Sequence, residues 1–124
     1  MTIILKIKKI HEDARINYDD GLELYSCQDK IIPVNGRKLI STGICIELPP
    51  STVIHLRPVC DLVVKHGIVC INMHSHDNYS GEIKVILENR GDSPFQVFVG
   101  QKIASLIITP VINPLIQVVE ELEI

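Results

Sequence analysis

Short apolar bursts, many of them alternating with polar residues, are separated along this chain by turn residues roughly every ten positions, the spacing of an all-β domain. The clearest unit spans residues 65–91. Gly67-Ile68-Val69-Cys70-Ile71 is short, apolar and largely β-branched, which suits a buried strand. Glu82-Ile83-Lys84-Val85-Ile86-Leu87 opens with alternation that puts Ile83 and Val85 on one face and Glu82 and Lys84 on the other. The polar segment His74-Ser75-His76-Asp77-Asn78-Tyr79-Ser80-Gly81 lies between them, so the pattern predicts a β-hairpin with a functional loop. Further strands are predicted over 2–8, 21–26, 42–48 and 52–57, the last two stopped by Pro49-Pro50 and Pro58. Asn35-Gly36 predicts a hairpin joining 30–34 to 37–40. Residues 60–65 could form one helical turn, and 94–99 and 102–109 read as strands joined at Gly100. A last apolar run, 115–119, precedes an acidic end.

Composition narrows this to a single domain over 1–124 with a core of Ile, Val and Leu, since 46% of residues are hydrophobic, only 4% are aromatic and none is tryptophan. A formal net charge of −3 provides no basic footprint for nucleic acid. No run approaches the roughly 20 apolar residues of a membrane helix, and the first residues carry lysines inside a strand pattern instead of forming a signal peptide. The expected location is therefore intracellular, cytoplasmic or nuclear, without membrane attachment. Cys27, Cys45, Cys60 and Cys70 show no Cys-x-x-Cys spacing and read as free thiols in a reducing compartment. His74 and His76 have strand spacing that could chelate a metal together with His66 or Cys70, but solvated histidines at a loop mouth are the plainer reading, and no metal site is expected. Arg90-Gly91-Asp92 reads as a β-turn.

Several motifs in order resemble the trimeric dUTP diphosphatases. Asp20-Gly21-Leu22-Glu23-Leu24-Tyr25-Ser26 is similar to that family's first motif, Ala-Gly-Tyr-Asp-Leu-Tyr-Ser. Thr42-Gly43 and Leu48-Pro49 follow at compatible spacing, and Pro58-Val59-Cys60-Asp61-Leu62 stands where the second motif has Pro-Arg-Ser-Gly-Leu. His76-Asp77-Asn78-Tyr79-Ser80-Gly81-Glu82-Ile83 resembles the third, Asp-x-Asp-Tyr-x-Gly-Glu-Ile. Gly100-Gln101-Lys102-Ile103-Ala104-Ser105-Leu106 resembles the fourth, Gly-x-Arg/Lys-Ile-Ala-Gln-Leu. The resemblance implies an all-β, β-clip (jelly-roll-like) subunit with at most one short helix near 60–65. It also implies a homotrimer with sites between subunits, and hydrolysis of dUTP with Mg²⁺ on the triphosphate.

Departures from the family pattern fall on positions that carry its chemistry. The aspartate that activates water is His76, and the first-motif aspartate is Glu23. The phosphate-gripping Arg and Ser are Val59 and Cys60, the next glycine is Asp61, and the fourth-motif Gln is Ser105. Arg57 is expected to lie on the preceding strand without compensating. Tyr79 and Gly81 are retained and, with Ser105, read as a nucleotide-binding relic, and the Gly-rich fifth motif is expected to be missing, since the sequence ends at Ile124. On this reading the chain is a catalytically degenerate member, similar to short viral relatives. It would be a homotrimeric scaffold or interaction module with no catalytic residues and no cofactor. The alternatives are a divergent Mg-dependent dUTP diphosphatase using Glu23 and His76, or a deoxynucleotide binder that does not hydrolyse. Leu122 and Ile124, at a free carboxyl end, suggest capture by a PDZ domain through strand addition.

Overall fold

A computed structural model describes residues 2–71 and 80–124. Among the described residues, ten strands and one helix follow one another: β1 (Lys6–Lys9), β2 (Asn17–Tyr18), β3 (Leu22–Tyr25), β4 (Lys30–Ile32), β5 (Arg37–Glu47), β6 (Thr52–Pro58), α1 (Cys60–His66), β7 (Ile68–Ile71), β8 (Ser80–Asn89), β9 (Phe95–Val97) and β10 (Lys102–Pro110). They form a four-stranded sheet of order β1-β5-β8-β7, a second of order β2-β3-β10-β6, and a two-stranded ribbon β4-β9. Every pairing is antiparallel. The all-β expectation with one short helix is borne out.

The alternation in the sequence sets which side of each strand is buried. Ile83, Val85 and Leu87 of β8 face the core, while Lys84 is exposed. On the second sheet, Leu22 and Leu24 of β3, Ala104 and Leu106 of β10, and Ile54 and Leu56 of β6 turn inward together. With Ile32, Ile40, Ile44, Leu48, Ile68, Val97 and Ile103 they make one apolar cluster. Each such Ile or Leu contributes on the order of 1.5–3 kcal/mol on burial. Pairing of β7 with β8, Ile68 opposite Asn89 and Ile71 opposite Ile86, bears out the ladder of the predicted hairpin. Its polar segment from His74 to Tyr79 lies outside the described residues.

One expectation is corrected. Asn35-Gly36 does make a turn, with Asn35 at φ +63° and the Gly36 amide donating to the Pro33 carbonyl at 2.8 Å. The flanking segments do not pair with each other, however: β4 joins β9 and β5 joins β8. The turn is held by Asn89 of β8, whose amide donates to the Gly36 carbonyl while its carbonyl accepts from the Asn35 amide, each at 2.9 Å. Among the described residues the apolar run 115–119 pairs with no strand of its own subunit, and Leu115 and Val118 are 99% and 92% exposed.

Candidate active site

Four strands of the second sheet bring four polar residues into one row. Asn17 of β2 stands opposite Glu23 of β3, Glu23 opposite Ser105 of β10, and Ser105 opposite Arg57 of β6. Directly opposed residues share a face and sit within side-chain reach. Glu23 is only 6% exposed and Ser105 8%, and the serine hydroxyl donates to Glu23 Oε2 at 3.1 Å. Lys102 forms an ion pair with that same oxygen. Strict alternation would put Lys102 and Ser105 on opposite faces, being three residues apart. A register shift resolves this: Lys102 pairs with Tyr25 and Ala104 with Leu24, so two steps on β10 match one on β3. The bulge swings the lysine onto the face of the serine, a common use of bulges near active sites. A buried carboxylate is thereby given a cation and a hydroxyl, the partners it needs away from water.

At the edge of the row, Arg57 places Nη2 2.6 Å from the Asp20 carbonyl, to which it donates, and 4.0 Å from the Asp20 carboxylate. Asp20 has φ +61° and Gly21 φ +136°. A side chain on Gly21 would bring its Cβ within 3.4 Å of Arg57 Nη2, so the glycine leaves room for the guanidinium. On the other side of the row, Asn17 donates to the Tyr25 hydroxyl at 3.2 Å, and the Arg15 guanidinium lies 4.1 Å from the Tyr25 ring centre.

Beyond β6 the chain turns into α1. Val59 is its N-cap residue, extended and packed against the core, while Cys60 and Asp61 are exposed in the first turn. An acid there suits the positive end of the helix, which gives Asp61 a local role independent of phosphate. Gly67 closes the helix at φ +69°. Gly81 lies on β8 opposite Ile46 at φ +152°, a conformation that favours glycine. Leu122 and Ile124 are exposed. His76 and Tyr79 are outside the described residues. The structure thus joins Glu23 to Ser105 and sets Val59, Cys60 and Asp61 just past Arg57.

The family model described as dUTPase matches residues 10–124. The chain belongs to the dUTPase family. It is 42% identical over 125 aligned residues to the deoxyuridine 5'-triphosphate nucleotidohydrolase of Clostridioides difficile, covering 95% of this chain and 87% of that protein. To the enzyme of the same name from Crocosphaera subtropica it is 43% identical, covering 95% and 88%. Among solved structures, a dUTPase of Staphylococcus bacteriophage 80alpha, an aspartate-to-alanine variant with dUpNHpp, superposes with a TM-score of 0.86 at 19% identity, covering 98% of this chain and all of that one. That likeness bears on the fold alone.

These relatives overturn the reading of the chain as a non-catalytic scaffold. Identity near 40% runs through nearly the whole subunit and leads to proteins named for dUTP hydrolysis. Glu23 and Ser105, two of the departures from the family pattern, are hydrogen-bonded to each other across the sheet. Arg57 lies on the preceding strand, β6, as expected, and that strand is the direct neighbour of β10. No helix among the described residues is long and apolar enough to cross a membrane.

Proposed function

We propose that this chain is a Mg²⁺-dependent dUTP diphosphatase. What carries the reading is identity of about 40% over 95% of the chain to proteins named deoxyuridine 5'-triphosphate nucleotidohydrolase. In the reaction a water oxygen bonds to the α-phosphorus and the bond to the α–β bridging oxygen breaks. Pyrophosphate leaves with the electron pair, dUMP remains, and the water gives up its proton. Catalysis of this kind rests on positioning, charge neutralisation and a group that orients the water. Mg²⁺ enters with the triphosphate as part of the substrate, and the described residues hold no cluster of three His, Cys, Asp or Glu side chains that could bind a metal by themselves.

Glu23 is the anchored carboxylate of the site, with Lys102 and Ser105 on one oxygen and Oε1 left without a partner among the described residues. His76 stands at the position of the water-activating residue, where a neutral imidazole can take a proton. By the motif resemblance, Tyr79 and Gly81 are assigned to nucleoside binding. The subunit is proposed to act as a homotrimer, in which the exposed apolar residues Ile112, Leu115, Ile116 and Val118 are covered by a neighbouring copy.

Pyrophosphate release from dUTP, followed with micromolar chain in excess Mg²⁺, tests the function. Turnover on the order of 1–10 per second that stops on chelation is expected, within the range of ordinary enzymes. No release above the rate without protein overturns the reading.

A further inference from the structure

Arg57 answers to none of the family motifs, and the second-motif position that should bring a guanidinium holds Val59. We propose that Arg57 supplies the triphosphate-binding guanidinium of this site. The inference rests on the dUTP reading above and adds a residue to it.

Three observations place Arg57 for this task. First, it is the register partner of Ser105, which in turn is the register partner and hydrogen-bond donor of Glu23, so it lies in the same row of the sheet as the anchored carboxylate. Second, it begins the short path Arg57-Pro58-Val59-Cys60 into α1, along which the phosphate-binding positions of the family pattern lie. Third, its guanidinium is held by one nitrogen only. Nη2 reaches the Asp20 carbonyl, whereas Nη1 and Nε have no partner among the described residues, and the side chain is 47% exposed. A planar fork fixed at one corner with its remaining donors open suits a phosphate oxygen pair.

The charges around it agree. Glu23 is matched by Lys102, so its negative charge does not compete for Arg57. Asp20 is nearly fully exposed at 4.0 Å, a distance and setting in which an ion pair is worth little. Asp61 is exposed on the first turn of α1, where the helix end already opposes its charge. Lys102 cannot replace Arg57 without releasing a buried carboxylate.

Calorimetric titration of the full chain with Mg²⁺ and dUpNHpp, and separately with dUMP, tests the proposal. Arg57→Gln is expected to weaken dUpNHpp by about 10- to 100-fold, the value of one or two charge-assisted hydrogen bonds. The dUMP affinity should change by less than about threefold, a difference too small to reflect a lost bond of that kind. Arg57→Lys keeps the charge but not the fork and should fall between. It also serves as the test should the glutamine variant not fold, as judged by urea unfolding. Arg90→Gln, whose parent residue contacts Glu88, is the charge-matched control and should bind as the unaltered chain does. Equal affinities for dUpNHpp in the unaltered and Arg57 variants, or equal losses for both nucleotides, overturn the proposal. If the unaltered chain binds dUpNHpp but releases no pyrophosphate from dUTP, the diphosphatase reading fails while the Arg57 comparison still decides this one. If it binds neither nucleotide, both fall.

Discussion

Removing the side chain of Asn89 isolates the contribution of one polar residue to the whole subunit. Asn89 is fully buried at the end of β8. Its Nδ2 donates to the Ile32 carbonyl at 3.0 Å and to the Ser93 carbonyl at 2.9 Å, and its Oδ1 accepts from the Gly91 amide at 2.9 Å. One amide therefore ties the β4–β9 ribbon, the turn after β8 and the large sheet together. In Asn89→Ala these three backbone groups lose their partners, and a buried group left unpaired costs about 1–3 kcal/mol. The three losses are not additive, because the turn at 91–93 is partly open and water can reach some of it. An overall loss of about 3–5 kcal/mol is expected. At this chain length that corresponds to a melting point lower by roughly 10–20 °C, with protein concentration held fixed because an oligomer's melting depends on it. Asn89→Asp should be at least as harmful, since it keeps one acceptor but sets a buried oxygen against two carbonyls. Urea unfolding at equal protein concentration measures both. A loss below about 1 kcal/mol for the alanine variant, within the net worth of a single ordinary hydrogen bond, would refute the argument that this side chain holds three segments at once.

Two further outcomes follow from backbone and thiol chemistry. Gly43→Ala should destabilise by about 2–4 kcal/mol, because Gly43 has φ +72° and an added Cβ would meet the His11 Cβ at 2.8 Å and the Ala14 Cβ at 3.1 Å. Gly100→Ala shares the positive φ, +86°, but meets nothing within 4 Å, so it should cost only about 1–2 kcal/mol, and urea unfolding of the pair separates clash from strain. Burial, then the nearby negative charge of Glu82, push the Cys27 thiol up, so the folded chain keeps this proton at pH values where an unfolded cysteine releases it. The resulting stability is complete below the unfolded value of about 8.5 and is lost as pH rises through the folded one. Unfolding free energy should therefore decline in the alkaline range. Cys27→Ala should flatten that decline, and equal slopes in both proteins would count against the assignment.

Much of the fold was legible because strand period and turn chemistry agree. The 83/85/87 face of β8, the pairing of β7 with β8, the prolines that stop strands, and the short helix at 60–66 all follow from local sequence. What could not be read locally was partnership between distant strands. Asn35-Gly36 has the chemistry of a hairpin turn and does turn, but the ladder goes elsewhere, because Asn89 and Phe95–Val97 offer better partners across the chain. In the site, Glu23 and Ser105 could be named from motif spacing. The bulge between Lys102 and Ala104 could not, since an extra residue in one strand leaves no mark on alternation that a single sequence exposes.

The bulge and the row also show why a motif should be judged by its pairs. Taken singly, glutamate for aspartate at 23 moves a carboxylate one methylene outward, and serine for glutamine at 105 withdraws a polar tip toward its own strand. Both then read as damage. Set opposite one another on β3 and β10, the longer acid and the shorter hydroxyl meet at 3.1 Å. The distance between two strands is fixed by their backbone hydrogen bonds, so only the combined reach of facing side chains is constrained, and the two lengths can trade. The same geometry extends to the edge of the row, where Val59 has no charge to give but Arg57 stands beside Ser105 on the neighbouring strand. Loss of a function at one position is therefore established only when its cross-strand neighbours also lack the group that was lost.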